Sequence, residues 1–208
     1  MKKILILAPH TDDGEFGCGG TIDRFINEKN EVYYVAFSDC EKSLDVGMPP
    51  DTLLKELKNA TKTLGIQPEN VITKNFEVRC FERDRQRILE EMVYLNKELN
   101  PDLVFLPSPN DLHQDHNTIA MEGLRAFKLK STILGYEVPW NNLTFNTTCF
   151  VSLSKENIDQ KIRALKCYKS QKNRFYSSEK FIRSLAITRG TQVGVEYAET
   201  FEVLRWII

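Results

Sequence analysis

All three histidines of this chain stand among carboxylates. His10 belongs to the run Ala8-Pro9-His10-Thr11-Asp12-Asp13-Gly14-Glu15, and His113 and His116 flank Asp115 in Asp111-Leu112-His113-Gln114-Asp115-His116. Imidazole and carboxylate together are what a divalent metal and a water-activating base require, so the chain reads as a metallohydrolase. His10 and Asp13, three residues apart on a tight loop, can turn toward one ion, and His116 can supply a third ligand from the second segment. Three protein ligands with an open fourth position describe a catalytic zinc site, one ion per chain, in which Fe²⁺ or Co²⁺ could replace zinc. Asp12 adjoins a ligand without being needed as one, which makes it the candidate base for the proton of a metal-acidified water. His113 is left to act from the opposite side as an imidazolium that steadies an oxyanion or protonates a leaving nitrogen. Asp115 can orient or charge one of the two histidines beside it.

Two segments so far apart in sequence need a frame that joins them. Ile4 to Ala8 and Val32 to Phe37 are apolar runs of strand length, as buried parallel strands require, and Gly19-Gly20-Thr21 opens a helical stretch between them with Ile22, Phe25 and Ile26 on one face. Asp51 can cap a helix whose Leu53, Leu54, Leu57 and Leu64 recur at helical spacing, and Gly65 sits where a C-terminal cap belongs. A short strand Val71–Thr73 follows, then an amphipathic stripe of Ile88, Met92, Leu95 and Leu99 closed by Asn100-Pro101, then a strand from Leu103 to Leu106. The second half reads as a helix from about Asn117 to Phe127, a strand Ile133–Glu137, a strand around Phe145–Val151, helices from Ser154 and over Ser178–Leu185, and a strand from Glu199 to Trp206. The stretches 39–50 and 139–144 read as surface loops. This alternation predicts one α/β domain over residues 1–208, a Rossmann-like three-layer sandwich with a mainly parallel sheet. In such a sheet the first and fourth strands lie side by side where the strand order reverses, and ligands bind beyond their carboxyl ends. His10 to Glu15 follow the first strand and Asp111 to His116 the fourth, so both clusters fall at one site.

A net charge of -1 over 208 residues gives no electrostatic footprint for nucleic acid, and no apolar run is long enough to span a membrane. Five scattered cysteines without a C-x-x-C pair suit reduced thiols in the cytoplasm, and the apolar start is too short for a secretion signal. The partner expected is a small-molecule substrate, and a homo-oligomer is compatible with the sequence. Gly14, Gly17, Gly19 and Gly20 miss the G-x-G-x-x-G spacing of a dinucleotide turn, and the acidic residues among them would repel a pyrophosphate, so close helix-to-strand packing is their reading. Tyr136, Glu137, Trp140 and Asn141 follow the fifth strand and could line a sugar pocket. The basic stretch from Lys166 to Arg174 reads as a solvated face rather than a phosphate site.

The run from Pro9 to Thr21 resembles the signature of the PIG-L/LmbE-like de-N-acetylases, H-P-D-D or H-T-D-D followed by a glycine-rich turn. His113-x-Asp115-His116 resembles their second motif, and Tyr197-Ala198-Glu199-Thr200-Phe201 their C-terminal Y-A-E-x-F. The resemblance implies a Rossmann-like, zinc-dependent hydrolase that removes the N-acetyl group from an N-acetylglucosamine-type sugar, free, nucleotide-linked or lipid-linked, and leaves an amine and acetate. It puts the metal ligands on His10, Asp13 and His116, the base on Asp12 and the transition-state histidine on His113. Leu112 and Leu53 stand where many members carry arginine, which argues against an anionic aglycone. Two other functions fit the scaffold, a zinc amidase on a non-sugar substrate and a non-catalytic sugar or nucleotide binder. A pure binder has no use for Asp12 and His113.

Overall fold

The computed structural model describes residues 1–207. Seven strands, β1 (Lys3–Ala8), β2 (Glu31–Ala36), β3 (Val71–Thr73), β4 (Leu103–Pro107), β5 (Thr132–Tyr136), β6 (Cys149–Leu153) and β7 (Tyr197–Arg205), form one sheet in the order β3-β2-β1-β4-β5-β7-β6. Every pairing is parallel except the two made by β7, which runs against both neighbours. Six helices accompany it: α1 (Asp13–Asn27), α2 (Thr52–Leu64), α3 (Arg85–Leu99), α4 (Gln114–Phe127), α5 (Lys155–Leu165) and α6 (Glu179–Thr191).

Alternation along the strands divides the core in two. Ile4, Ile6 and Ala8 join Val32, Tyr34 and Ala36 under α1, α2 and α5, while Leu5, Leu7, Val35 and Phe37 meet Ile88, Met92 and Leu95 of α3 and Ile119 and Phe127 of α4. A sheet covered on both faces accounts for the unbroken apolar runs of β1 and β2. A third cluster, built on Ile158, Ile162, Leu165, Ile182 and Ala186, holds α6 against α5. The predicted fold class is therefore the observed one. No helix among the described residues is long and apolar enough to cross a membrane, and the five cysteines are free.

Local signals set the boundaries. Gly65 ends α2 in the left-handed region at φ 86°, Asn100 ends α3 at φ 46° before Pro101, and Ser154 opens α5 with a reciprocal capping box to Asn157. Two helices begin earlier than expected. α4 starts at Gln114 because the His113 ring accepts the Asp115 N–H as its cap. α1 starts at Asp13 and is broken at Cys18 (φ -147°, ψ 25°), so the stretch expected from Gly19 is its second segment. The Glu199 carboxylate caps that segment, accepting the N–H groups of Gly20 at 3.0 Å and Thr21 at 2.7 Å. β6 lies a few residues later than expected, and α6 runs on to Thr191.

The glycines of α1 are packing residues. A Cβ at Gly14 would sit 2.5 Å from the Tyr34 ring, and one at Gly17 2.4 Å from the Tyr136 ring. These contacts seat α1 on the sheet beside the end of β1.

Candidate active site

β1 and β4 are neighbours, and the segments that leave them meet beyond the sheet. The Asp13 Oδ2 atom lies 3.1 Å from His10 Nδ1 and 3.2 Å from His116 Nε2, and those two nitrogens are 3.2 Å apart. Ligands bonded tetrahedrally to zinc at 2.0–2.2 Å stand about 3.3 Å from one another. Each imidazole is fixed from behind. Asp115 Oδ2 is 3.0 Å from His10 Nε2 and Asp111 Oδ2 is 2.7 Å from His116 Nδ1. If each carboxylate takes the ring N–H, the other nitrogen of each ring is left with a lone pair toward Asp13, the arrangement that holds metal-ligating histidines in place. His10, Asp13 and His116 therefore have the geometry to hold a divalent ion. His113 brings a third imidazole whose ring nitrogen lies within 4.8 Å of the other two. Its Nδ1 accepts the Asp115 N–H at 3.2 Å, which leaves the Nε2 hydrogen for the cleft.

The electrostatics favour a cation here. Burial works against charge on His10 and His116, but the Asp13 carboxylate, with Asp115 and Asp111, overcomes it and raises the rings to about 9 and about 10. Burial also favours the neutral form of Asp13, yet His116 and His10 hold its carboxyl well below the usual range. One divalent ion could take the place of the two protons. Asp12 differs from its neighbour. Half-buried at the start of α1 with no side-chain cap bond, it is raised to about 6 by burial and by the Asp13 charge. A carboxyl poised near neutrality can both take and return a proton.

Two expectations about the histidine segment change. Asp115 does not serve His113 or His116. Its carboxylate holds His10 and accepts the N–H groups of Arg79 at 2.6 Å and Phe81 at 3.2 Å. Among the described residues no carboxylate braces the His113 ring either, and Asp111 Oδ1 accepts its backbone N–H instead. Burial, His116 and His10 push that imidazole down to about 4, so His113 is a neutral donor rather than an imidazolium.

The candidate ion site opens into a cleft of about 350 Å³. Trp140 and Asn141 line it, as the sequence suggested, and Trp140 stacks on Tyr176 with ring centres 3.8 Å apart. Tyr136 must be withdrawn as a substrate residue: it is fully buried beneath Gly17, and its hydroxyl donates to the Leu7 carbonyl at 3.0 Å. Glu137 is paired with Arg189. Of the other lining residues, sequence reasoning missed Arg79, while Gln171 and Arg174 lie on the basic stretch it read as a solvated face and Tyr176 follows that stretch. Glu15, part of the first sequence cluster, is fully buried and bonded to the hydroxyls of Tyr34 and Tyr168, the latter at 2.9 Å. Tyr168 donates to the Thr11 carbonyl at 2.6 Å as well, which ties the segment after α5 to the loop of His10 and Asp13.

Comparison with known proteins gives the same neighbourhood. The chain is 24% identical to the diacetylchitobiose deacetylase of Thermococcus kodakarensis over 96% of its own length and 82% of that protein. It is 31% identical to a probable N-acetyl-alpha-D-glucosaminyl L-malate deacetylase 2 of Bacillus anthracis over 56% of this chain and 55% of that one. The crystal structure of the conserved protein TT1542 from Thermus thermophilus superposes with a TM-score of 0.82 at 25% identity, covering 100% of this chain and 97% of the other. The model of one family, GlcNAc-PI de-N-acetylase (PIG-L), matches residues 5–127, a span that holds both halves of the ion site. This chain is a member of the PIG-L family of de-N-acetylases.

Proposed function

We propose that this protein is a zinc-dependent deacetylase that removes the N-acetyl group of an N-acetylglucosamine-type amino sugar. The observation that carries the reading is the pair of imidazoles, each backed by its own carboxylate and converging on Asp13 beside an Asp12 that no side-chain bond occupies. Two imidazoles and one carboxylate with a further position open suit zinc. An ion held there supplies Lewis acidity, lowering the pKa of a water to about 7.

The residues of the chain divide the remaining work. Asp12 takes a proton from the attacking water as the new oxygen–carbon bond forms. The carbonyl electron pair moves onto its oxygen, to which the His113 Nε2–H donates. Asp12 then hands its proton to the sugar nitrogen as the carbon–nitrogen bond breaks, and acetate and the amine leave. Asp111 and Asp115 position His116 and His10 and take no part in proton transfer. Trp140 and Tyr176 offer an aromatic face to the CH groups of a pyranose.

The test is to incubate zinc-loaded protein with a panel of N-acetylated sugars, their nucleotide-linked forms and non-sugar acetamides, following free amine and acetate while metal content is measured in parallel. Amine release from the sugars, with about one zinc per chain that falls in His10→Ala and His116→Ala, is the expected result. Release from non-sugar acetamides alone, or metal content indifferent to both substitutions, overturns it.

A further inference from the structure

Apart from the histidines, four charged side chains line the cleft: Asp12, Asp13, Arg79 and Arg174. The chemistry proposed above uses the two carboxylates and neither guanidinium. Seven of the eleven arginines pair with carboxylates; among the described residues Arg79, Arg163, Arg174 and Arg205 have no carboxylate within 4.0 Å, and of these only Arg79 and Arg174 line the cleft. With a divalent ion in place, the lining carries a surplus of positive charge, and its two unpaired guanidiniums are the donors best shaped for an anion.

Both are exposed side chains carried on anchored backbone. Arg79 sits at φ 68°, a left-handed backbone that a bulky side chain rarely adopts, and it is held there by donating its N–H to Asp115, the carboxylate that braces His10. Its buried neighbour Val78 and the buried Phe81 anchor the turn on either side. Arg174 lies on the segment after α5, which is fastened twice. Tyr168 bonds the Thr11 carbonyl, and Ser170 donates its N–H and its hydroxyl to the two Glu56 carboxylate oxygens at 3.0 and 2.6 Å. Arg174 Nε donates to Gln171 Oε1 at 3.1 Å, which leaves its terminal nitrogens for a ligand. Tyr176, two residues on, carries the ring stacked on Trp140.

Resting on the deacetylase reading, we infer that the substrate is an amino sugar whose aglycone carries an anionic group, a carboxylate or a phosphate, bound between Arg79 and Arg174. This reverses the expectation drawn from Leu53 and Leu112, and the reading of the stretch from Lys166 to Arg174 as a solvated face rather than a phosphate site. Leu53 is a buried wall of the cleft and Leu112 is an exposed residue outside its lining, while the cationic contacts arrive from other segments.

A matched set of N-acetylglucosamine derivatives tests this: the neutral methyl glycoside, the glycoside of glycolic acid, and the 1-phosphate. In zinc-loaded protein at low salt, kcat/KM for at least one anionic member is expected to exceed that of the methyl glycoside tenfold or more. The advantage should lie in KM and shrink as salt is raised, and the better of the two anions identifies the group recognised. Arg174→Gln should reduce the anionic-to-neutral ratio about tenfold, Arg79→Gln likewise, and Arg174→Lys by less. Binding of the deacetylated set, followed by tryptophan fluorescence, gives a readout independent of turnover. Affinities equal for neutral and anionic members, or a ratio unmoved in both glutamine variants, overturn the inference even if every sugar is deacetylated. Selective binding of an anionic member with no amine released from any sugar would instead overturn the deacetylase reading and leave this one standing.

Discussion

Glu199→Gln should destabilise the protein far more than an exchange of one oxygen for an amide would suggest. Glu199 is 6% exposed, and its two oxygens meet three donors: Gly20 N–H, Thr21 N–H and the Lys161 ammonium at 2.7 Å. A glutamine can keep one oxygen as acceptor, but its amide group turns a donor toward another donor. The Lys161 ammonium, 5% exposed, then retains the Phe16 carbonyl at 2.6 Å and no countercharge. One lost charge-assisted bond accounts for about 1.5–3 kcal/mol, and breaking a buried pair from one side typically costs about 3–5 kcal/mol. The larger figure contains the smaller, so about 3–5 kcal/mol is expected, a large share of a total stability of roughly 5–15 kcal/mol. For a chain of this length the thermal midpoint should fall by about 6–20 °C. Urea unfolding at pH 7 with an unchanged m-value measures the loss, and the double variant Lys161→Met, Glu199→Gln should recover part of it by removing the stranded ammonium. A single-variant loss below about 1 kcal/mol, or a double variant that loses the sum of both singles, would refute the reasoning.

Asp12→Asn should lower kcat by about 10²-fold or more while zinc content stays near normal; near-full activity would remove Asp12 as the base. With Asp12 raised from 3.8 to about 6, activity should fall on acidification as the carboxylate takes up a proton, at a pH that a bound cation shifts downward, and a profile flat down to pH 4 would contradict that assignment. His113→Ala should cost on the order of 10²-fold in kcat and leave the pH limbs where they are, because its ring, held down to about 4, is neutral throughout; an alkaline limb that vanishes in this variant would show that it works as a cation. Burial raises Glu15 from 4.5 to about 8, so the folded chain keeps a proton that the unfolded chain releases, and the resulting stability is full below about 4.5 and lost as pH climbs toward 8. Metal-free Glu15→Gln, which does not titrate, should therefore gain on its parent across that window by at most ~1.4 kcal/mol per pH unit; urea midpoints showing a pH-independent difference would count against a buried, protonated Glu15.

The frame was readable because its signals are local. Val71–Thr73, the Gly65 cap and the Asn100-Pro101 stop are set by residue type and spacing, and the meeting of the two clusters follows from topology alone. What escaped depends on contacts between distant segments. α1 could not be seen to start at Asp13, because Asp12-Asp13-Gly14 has the composition of a turn and the break at Cys18 is fixed by Glu199, nearly two hundred residues on. The carboxylates behind His10 and His116 lie at different offsets along one turn, so only the folded backbone decides which serves which. Tyr136 was an avoidable error: alternation puts it on the same buried face as Leu134. Arg79 had no available signal, since an arginine at φ 68° is held by an Asp115 bond that no spacing rule predicts.

The hydroxyl of Tyr168 gives the molecule a natural seam. The groups placed around the candidate ion site all come from residues 10–116, whereas Gln171, Arg174 and Tyr176 come from later chain that is tied to them through the bond from Tyr168 to Thr11, and Trp140 comes from the loop after β5. Reactivity is thus carried on residues 10–116, while the groups offered to the aglycone are divided, Arg79 on that same stretch and Arg174 on later chain. The stretch around Gln171 to Tyr176 can therefore be exchanged for one of another character with Tyr168 left as the anchor, so that a new leaving partner is admitted without moving His10, Asp13 or His116.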